Sequence, residues 1–275
     1  MLKTRIITAA ILLAVLLPIL FFLPAIYLST FFLLTVSLAA WEWGRLITPQ
    51  FRWGAVIYPG FCLLIILGLL ALNNPVWQFT LLVMAVLFWI FNAPFILARG
   101  LNLSLHKWRY FYVISGLILL PATWFSLIFL RELGLEFMLT TIVLVWVADI
   151  GAYFVGKAFG KHRLAAQISP GKSIEGALGG LLLCYGYAVL CVFYLPLDAT
   201  LFGSWAMRYG WLPMLLMVTV LTAFSIFGDL FESQLKRLAG VKDSSQLLPG
   251  HGGVLDRVDA LLPVMPIAAL LAGFV

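Results

Sequence analysis

The sequence predicts an all-α fold: a polytopic integral membrane bundle of about nine transmembrane segments, with a cytoplasm-facing polar cavity in its C-terminal half. Composition is the first observation behind this, since 64% of the residues are hydrophobic and 10% charged, with a mean hydropathy of +1.09. The second is a series of apolar runs close to the ~20 residues that cross a bilayer as helix. The third is the placement of basic residues, which sorts the connecting segments into two sides. No polar stretch is long enough for a separate soluble domain.

The runs lie near residues 6–23, 25–41, 54–72, 77–97, 111–130, 137–156, 174–195, 211–231 and 260–275. The first follows Lys3 and Arg5, as in a secretory signal. No small-residue cleavage site follows and many more runs do, so it reads as a retained first span. The second is separated from it only around Pro24, and the last is short enough to lie partly in the interface. With a cytoplasmic N-terminus, the inside segments receive Lys3, Arg5, Arg45, Arg52, Arg99, Lys107, Arg109, Lys157, Lys161, Arg163, Lys172, Lys236, Arg237, Lys242 and Arg257. Only Arg131 and Arg208 fall outside, which puts 15 of the 17 basic residues on one side. That is a strong positive-inside pattern. The C-terminus then faces out, and every polar motif faces the cytoplasm. A net charge of +6 suits anionic headgroups and phosphates.

Residues 1–135 read as an N-terminal transmembrane region and 136–275 as a C-terminal catalytic one. Glu42, Glu132 and Glu136 stand at span ends, and Trp41, Trp43, Trp53, Trp77 and Trp108 read as interfacial anchors. Eight of the eleven acids follow Glu136, seven of them in or beside three polar motifs. Cys62, Cys184 and Cys191 form no CxxC, and the last two are about 10 Å apart along a helix, too far to bridge. They read as apolar filler. No internal repeat or low-complexity tract is present.

The first motif is WVADIGAYFVGKAFG, residues 146–160. Asp149, Tyr153 and Gly156 share a helix face. A carboxylate inside an apolar run costs about 2.5–3.5 kcal/mol on insertion scales, so Asp149 either meets a lysine such as Lys157 or lines a polar cavity. The second is SPGKSIEG, residues 169–176, where Pro170 and Gly171 form a turn before a helix whose free N–H groups favour an anion. Ala166 stands where a P-loop needs glycine, which rules that reading out; a plain helix cap with Glu175 near the capping-box position is the alternative. The third runs from Gly228 to Asp259. Asp229, Glu232, Ser233 and Lys236 form one helix stripe, and PGHGGVLDRVD follows, residues 249–259. Its glycines let the backbone approach a ligand. Oxygen-only carboxylates suit Mg²⁺, while His251 alone argues against zinc.

Residues 233–259 resemble the signature of phosphatidate cytidylyltransferases, the CDP-diacylglycerol synthases, through Lys236-Arg237, Lys242-Asp243, Pro249, His251-Gly252-Gly253, Asp256-Arg257 and Asp259. Asp149 with Tyr153 and Gly156, the SPGKSIEG block and Gly228-Asp229-Leu230 with Glu232-Ser233 extend the likeness over roughly 140–260. Ala260, where many members have serine, and the short C-terminal tail depart from it. The resemblance implies Mg²⁺-dependent transfer of CMP from CTP to phosphatidic acid, giving CDP-diacylglycerol and pyrophosphate, with a second cation left open. It implies an enzyme of phospholipid synthesis among the lipids of a bacterial inner membrane, active on the cytoplasmic side, commonly dimeric and without nucleic-acid partners.

On that reading Asp229 and Asp256 hold the metal, with Asp259 and Asp149 assisting. Lys172, Ser173 and Arg257 hold phosphates, and Lys236, Arg237 and Lys242 attract CTP or the lipid headgroup. Ser169, Tyr153, Gly252 and Gly253 complete the substrate contacts, and His251 positions a phosphate or orders the loop. One rival is a CTP-dependent lipid or polyprenol kinase, which would release CDP. Another is an ion-coupled transporter using Asp149 and Asp229, opposed by the clustering of polar residues on one face.

Overall fold

A computed structural model describes residues 2–48, 52–273 and 275. Several side chains near the N-terminus and that of Arg52 lie outside the described set, so the expected inside charges Lys3, Arg5 and Arg52 do too. In chain order the helices are α1 (Leu2–Phe21), α2 (Ala25–Ile47), α3 (Arg52–Leu72), α4 (Pro75–Leu87), α5 (Ala93–Ala98), α6 (Leu105–Leu133) and α7 (Leu135–Phe159). A hairpin follows, β1 (Arg163–Ala165) with β2 (Ser169–Ser173), and then α8 (Ile174–Tyr194), α9 (Leu201–Tyr209), α10 (Trp211–Leu238), α11 (Leu255–Val258) and α12 (Leu261–Ala272). A π-helical turn at Phe88–Asn92 carries α4 into α5.

The boundaries have local causes. Asn74 caps α4 through Val76 N–H at 2.9 Å, with Pro75 in the first turn. Gly210, at φ +88°, turns the chain between α9 and α10. Ser173 caps α8 by accepting from Gly176 N–H at 3.1 Å.

Among the described residues seven helical stretches are long and apolar enough to cross a membrane: α2, most of α3, the α4–α5 rod, α6, α7, α8 and α10. They coincide with seven of the nine expected spans, so the chain is a multi-pass helical bundle; a count of nine is not reached. The first expected span coincides with α1. The last is α12, whose 12 residues cover about 18 Å, short of a ~30 Å hydrocarbon core. It is buried on all sides, with Leu262, Val264, Met265, Ala268 and Ala269 almost inaccessible, as a helix apolar all round should be. It packs on α4, α6 and α10.

Two devices fix α12 and α10 in the centre. Pro266 lacks the N–H that would bond the Leu262 carbonyl four residues back, and the buried Trp89 Nε1 donates to that oxygen instead, at 3.2 Å. Phe231 of α10 sits among Trp43, Phe88, Trp89 and Tyr112, with ring centroids 5.5–6.1 Å away. That cluster anchors α10, the helix that carries Asp229, Glu232 and Lys236. Trp43 is fully buried and donates through Nε1 to Tyr112 O at 2.9 Å; it is a core residue, not the interfacial anchor expected, whereas Trp53 and Trp77 are exposed. The three cysteines are free and buried. Contacts cross the expected 135/136 division, with α12 against α6 and α11 against α2.

Candidate active site

The SPGKS segment is strand β2, antiparallel to β1, not the turn expected from Pro170 and Gly171. Glu175 explains the difference. Its carboxylate accepts the Lys161 N–H at 3.0 Å and meets His162 Nδ1 at 2.6 Å, which folds residues 161–173 back onto the start of α8. Small residues then bring α7 against α8. A Cβ on Gly176 would come within 2.7 Å of the Ala152 carbonyl, so only glycine permits this approach.

Between α7, α8, α10 and the hairpin lies a cavity of about 410 Å³. Asp149, Tyr153, Ser169, Lys172, Ser173 and Asp229 all line it, with Ala148, Ala152, Ala177 and Ile226 as apolar wall. Six expected site residues from three separate motifs thus meet in one place. Lys172 forms an ion pair with Asp229, and Ser233 Oγ donates to Asp229 Oδ1 at 3.2 Å. Asp149 makes no hydrogen bond or ion pair among the described residues, and Lys157 lies over the Tyr153 ring at 5.9 Å, so Lys157 does not pair with Asp149. Asp259 is 9% exposed, and its backbone packs against α10 next to Asp229: a Cβ on Gly228 would overlap the Asp259 carbonyl. Burial, and next the charge of Asp229, push its carboxyl well above the usual range.

Four more of the expected residues, Lys242, His251, Gly252 and Arg257, line a second cavity of about 680 Å³. The His251 carbonyl accepts from Arg257 Nε at 3.1 Å, while its own Nδ1 is buried without a partner. Gly250 and Gly252 have φ near +80°, the left-handed conformation that suits glycine.

Asp256 and Lys236 behave differently from free ligands. Lys236 is 8% exposed and ion-pairs with both Glu232 and Asp256. Asp256 also accepts from Gly253 N–H at 2.7 Å and Ser244 N–H at 3.0 Å. In this structure its oxygens are therefore spent on protein donors. Arg237 donates to Val241 O at 3.3 Å, holding the end of α10 to the next loop. Asp229 and Lys236 are seven residues apart, about 10.5 Å along one helix, so both acidic centres stand at the same end of α10.

The residue that sequence reasoning missed is Glu42, in the half read as an N-terminal transmembrane region. It is fully buried and contacts four donors of the signature loop. The one sequence signal for it was a carboxylate between two tryptophans beside a long apolar run.

The model of the cytidylyltransferase family matches residues 3–275. The chain belongs to this family. It is 39% identical over 98% of its length to a Pseudomonas aeruginosa protein named phosphatidate cytidylyltransferase, covering 97% of that protein. A Haemophilus influenzae protein of the same name is 35% identical over 97% of this chain and 96% of its own. One from Staphylococcus epidermidis is 44% identical over 51% of this family member and 50% of its own length.

Proposed function

We propose that the chain transfers CMP from CTP to phosphatidic acid, forming CDP-diacylglycerol and pyrophosphate. The observation that carries this is the convergence of Asp149, Asp229, Lys172 and Ser173 in one cavity of a cytidylyltransferase-family chain. A phosphate oxygen of the lipid attacks the α-phosphorus of CTP, and the bond to pyrophosphate breaks. The groups required are those that hold several anions together, not a covalent nucleophile. Lys172 and Arg257 supply cationic charge. Ser173 accepts through its oxygen at the helix cap, which leaves its proton free for a phosphate. The apolar wall and the exposed Tyr153 suit entry of a lipid whose acyl chains stay outside.

Mg²⁺ is part of the proposal. Among the described residues no three His, Cys, Asp or Glu side chains gather into an all-protein cage. Mg²⁺ characteristically uses one or two carboxylates together with substrate phosphates. Asp229 and the unpartnered Asp149 fit that mode, with Asp259 behind them and Asp256 across the Lys236 bridge. When bound, the ion would offset phosphate charge beside CTP. The basic-residue partition supports a cytoplasm-facing site in a bacterial inner membrane.

The test is purified protein with phosphatidate, Mg²⁺ and CTP labelled on the α-phosphorus. Label in CDP-diacylglycerol, with pyrophosphate released, is expected. Label in free CDP beside a phosphorylated lipid would establish the kinase reading instead; neither the family match nor the relatives' names support that reading or the transporter.

A further inference from the structure

We propose that Glu42 is a positioning residue for the reaction: from the N-terminal half of the chain, it holds the signature loop and thereby Asp256 in the geometry the site needs. The carboxylate is completely inaccessible and no lysine or arginine pairs with it among the described residues. Its hydrogen-bond partners all come from residues 244–255. Oε1 accepts from Ser245 Oγ at 2.5 Å and Val254 N–H at 3.0 Å. Oε2 accepts from Leu255 N–H at 2.5 Å and lies 3.0 Å from Ser244 Oγ. An ionised carboxylate offers about four lone-pair sites and no donor, so this set fills it.

The connection to the site is direct. Ser244 Oγ lies 2.9 Å from Asp256 Oδ2, the same oxygen that Gly253 N–H reaches at 2.7 Å. One serine hydroxyl therefore sits between the two carboxylates. Gly253 has no side chain because a Cβ there would overlap Ser244 Oγ and Glu42 itself. Val254 and Leu255, which donate to Glu42, immediately precede Asp256 and Arg257. A shift of the Glu42 carboxylate therefore moves both residues of the Asp256-Arg257 pair.

The chemistry singles out the carboxylate rather than the volume. In Glu42→Gln either amide nitrogen position faces one hydroxyl, which can reverse, and one backbone N–H, which cannot. A donor–donor clash remains whichever way the amide turns.

The experiment uses the full chain in lipid and two readouts. Trypsin cleavage after the exposed Lys242 reports loop order without any reaction. Steady-state CMP transfer reports the site, and this part alone rests on the proposed reaction. Glu42→Gln is expected to raise cleavage after Lys242 at least tenfold while cleavage after Lys161, just before the hairpin, is unchanged. It should lower kcat/KM for CTP at least tenfold, and Ser244→Ala should cost less in the Glu42→Gln chain than in the wild-type chain, since part of the serine's effect runs through its contact with Glu42. Should Glu42→Gln fail to fold, Ser245→Ala removes one of its donors, together with the acceptor of the Leu247 N–H, and must shift both readouts the same way by a smaller factor. Wild-type cleavage, or loosened cleavage with wild-type kcat/KM, overturns the proposal. Loosened cleavage in a chain that transfers no CMP even as wild type would sink the reaction and leave Glu42 as the organiser of the loop.

Discussion

Asp256 shows how much one side chain's partners change its meaning. Its place in LDRVD suggested a metal ligand. In the fold it meets Lys236 Nζ at 2.5 Å together with Gly253 and Ser244. Burial opposes its ionised form, but Lys236 and the Gly253 N–H outweigh that and hold its carboxyl below the usual range. A depressed carboxyl contributes stability above its unfolded pKa of about 3.9 and loses it as pH falls through the lower folded value. Asp256→Asn is therefore expected to cost about 3 kcal/mol at pH 7, the scale for breaking a buried pair. The gap from wild type should close below about pH 4. Denaturant unfolding in detergent at both pH values measures this, and an equal gap at each would mean the pair contributes nothing specific to the charged form. Lys236, 8% exposed, shows the same thing from the cationic side: in sequence it is one more base beside Arg237, and in space it is shared by Glu232 and Asp256.

Elements were legible in proportion to their length. Long apolar runs register reliably because twenty residues of hydrophobicity overwhelm local detail. The hairpin did not register, since strands of three and five residues carry almost no periodicity and depend on Glu175, which lies outside them. Helix α12 was misjudged in role rather than position: its apolarity comes from burial among helices, which composition cannot separate from contact with lipid. Its central proline gives a test. Trp89→Phe keeps an aromatic ring, though a smaller one, and leaves the Leu262 carbonyl without its indole donor, at a cost of about 1–3 kcal/mol. Adding Pro266→Ala restores an N–H four residues on and should recover most of that loss. If the double variant is less stable than Trp89→Phe alone, the tryptophan is there for packing and not for the carbonyl.

For the molecule as a whole, the two ends of α10 carry opposite characters. Asp229, Lys236 and the signature loop gather at one end, and Arg208, just before α10 begins, donates to the Val275 carbonyl at the other, at 3.3 Å. With the native cysteines buried, single reporters can read the orientation. In right-side-out spheroplasts, cysteine in place of the exposed Met207 should react with an impermeant maleimide, and cysteine in place of Gln246 only after lysis. The reverse pattern would place the cavity outside, away from CTP.

The sequence by itself determined the multi-pass helical bundle, the family and the polar motifs that supply the cavity's residues. Those follow from hydrophobicity, from charge and from residue identity within short segments, all of which are written locally. Only the tertiary structure decided that Asp149, Asp229 and Lys172 share one cavity, that Asp256 spends its oxygens on Lys236 and the loop, and that Glu42 lies beneath that loop. A buried polar group must find partners wherever the fold brings them, and here they came from as far as 213 residues away in the chain.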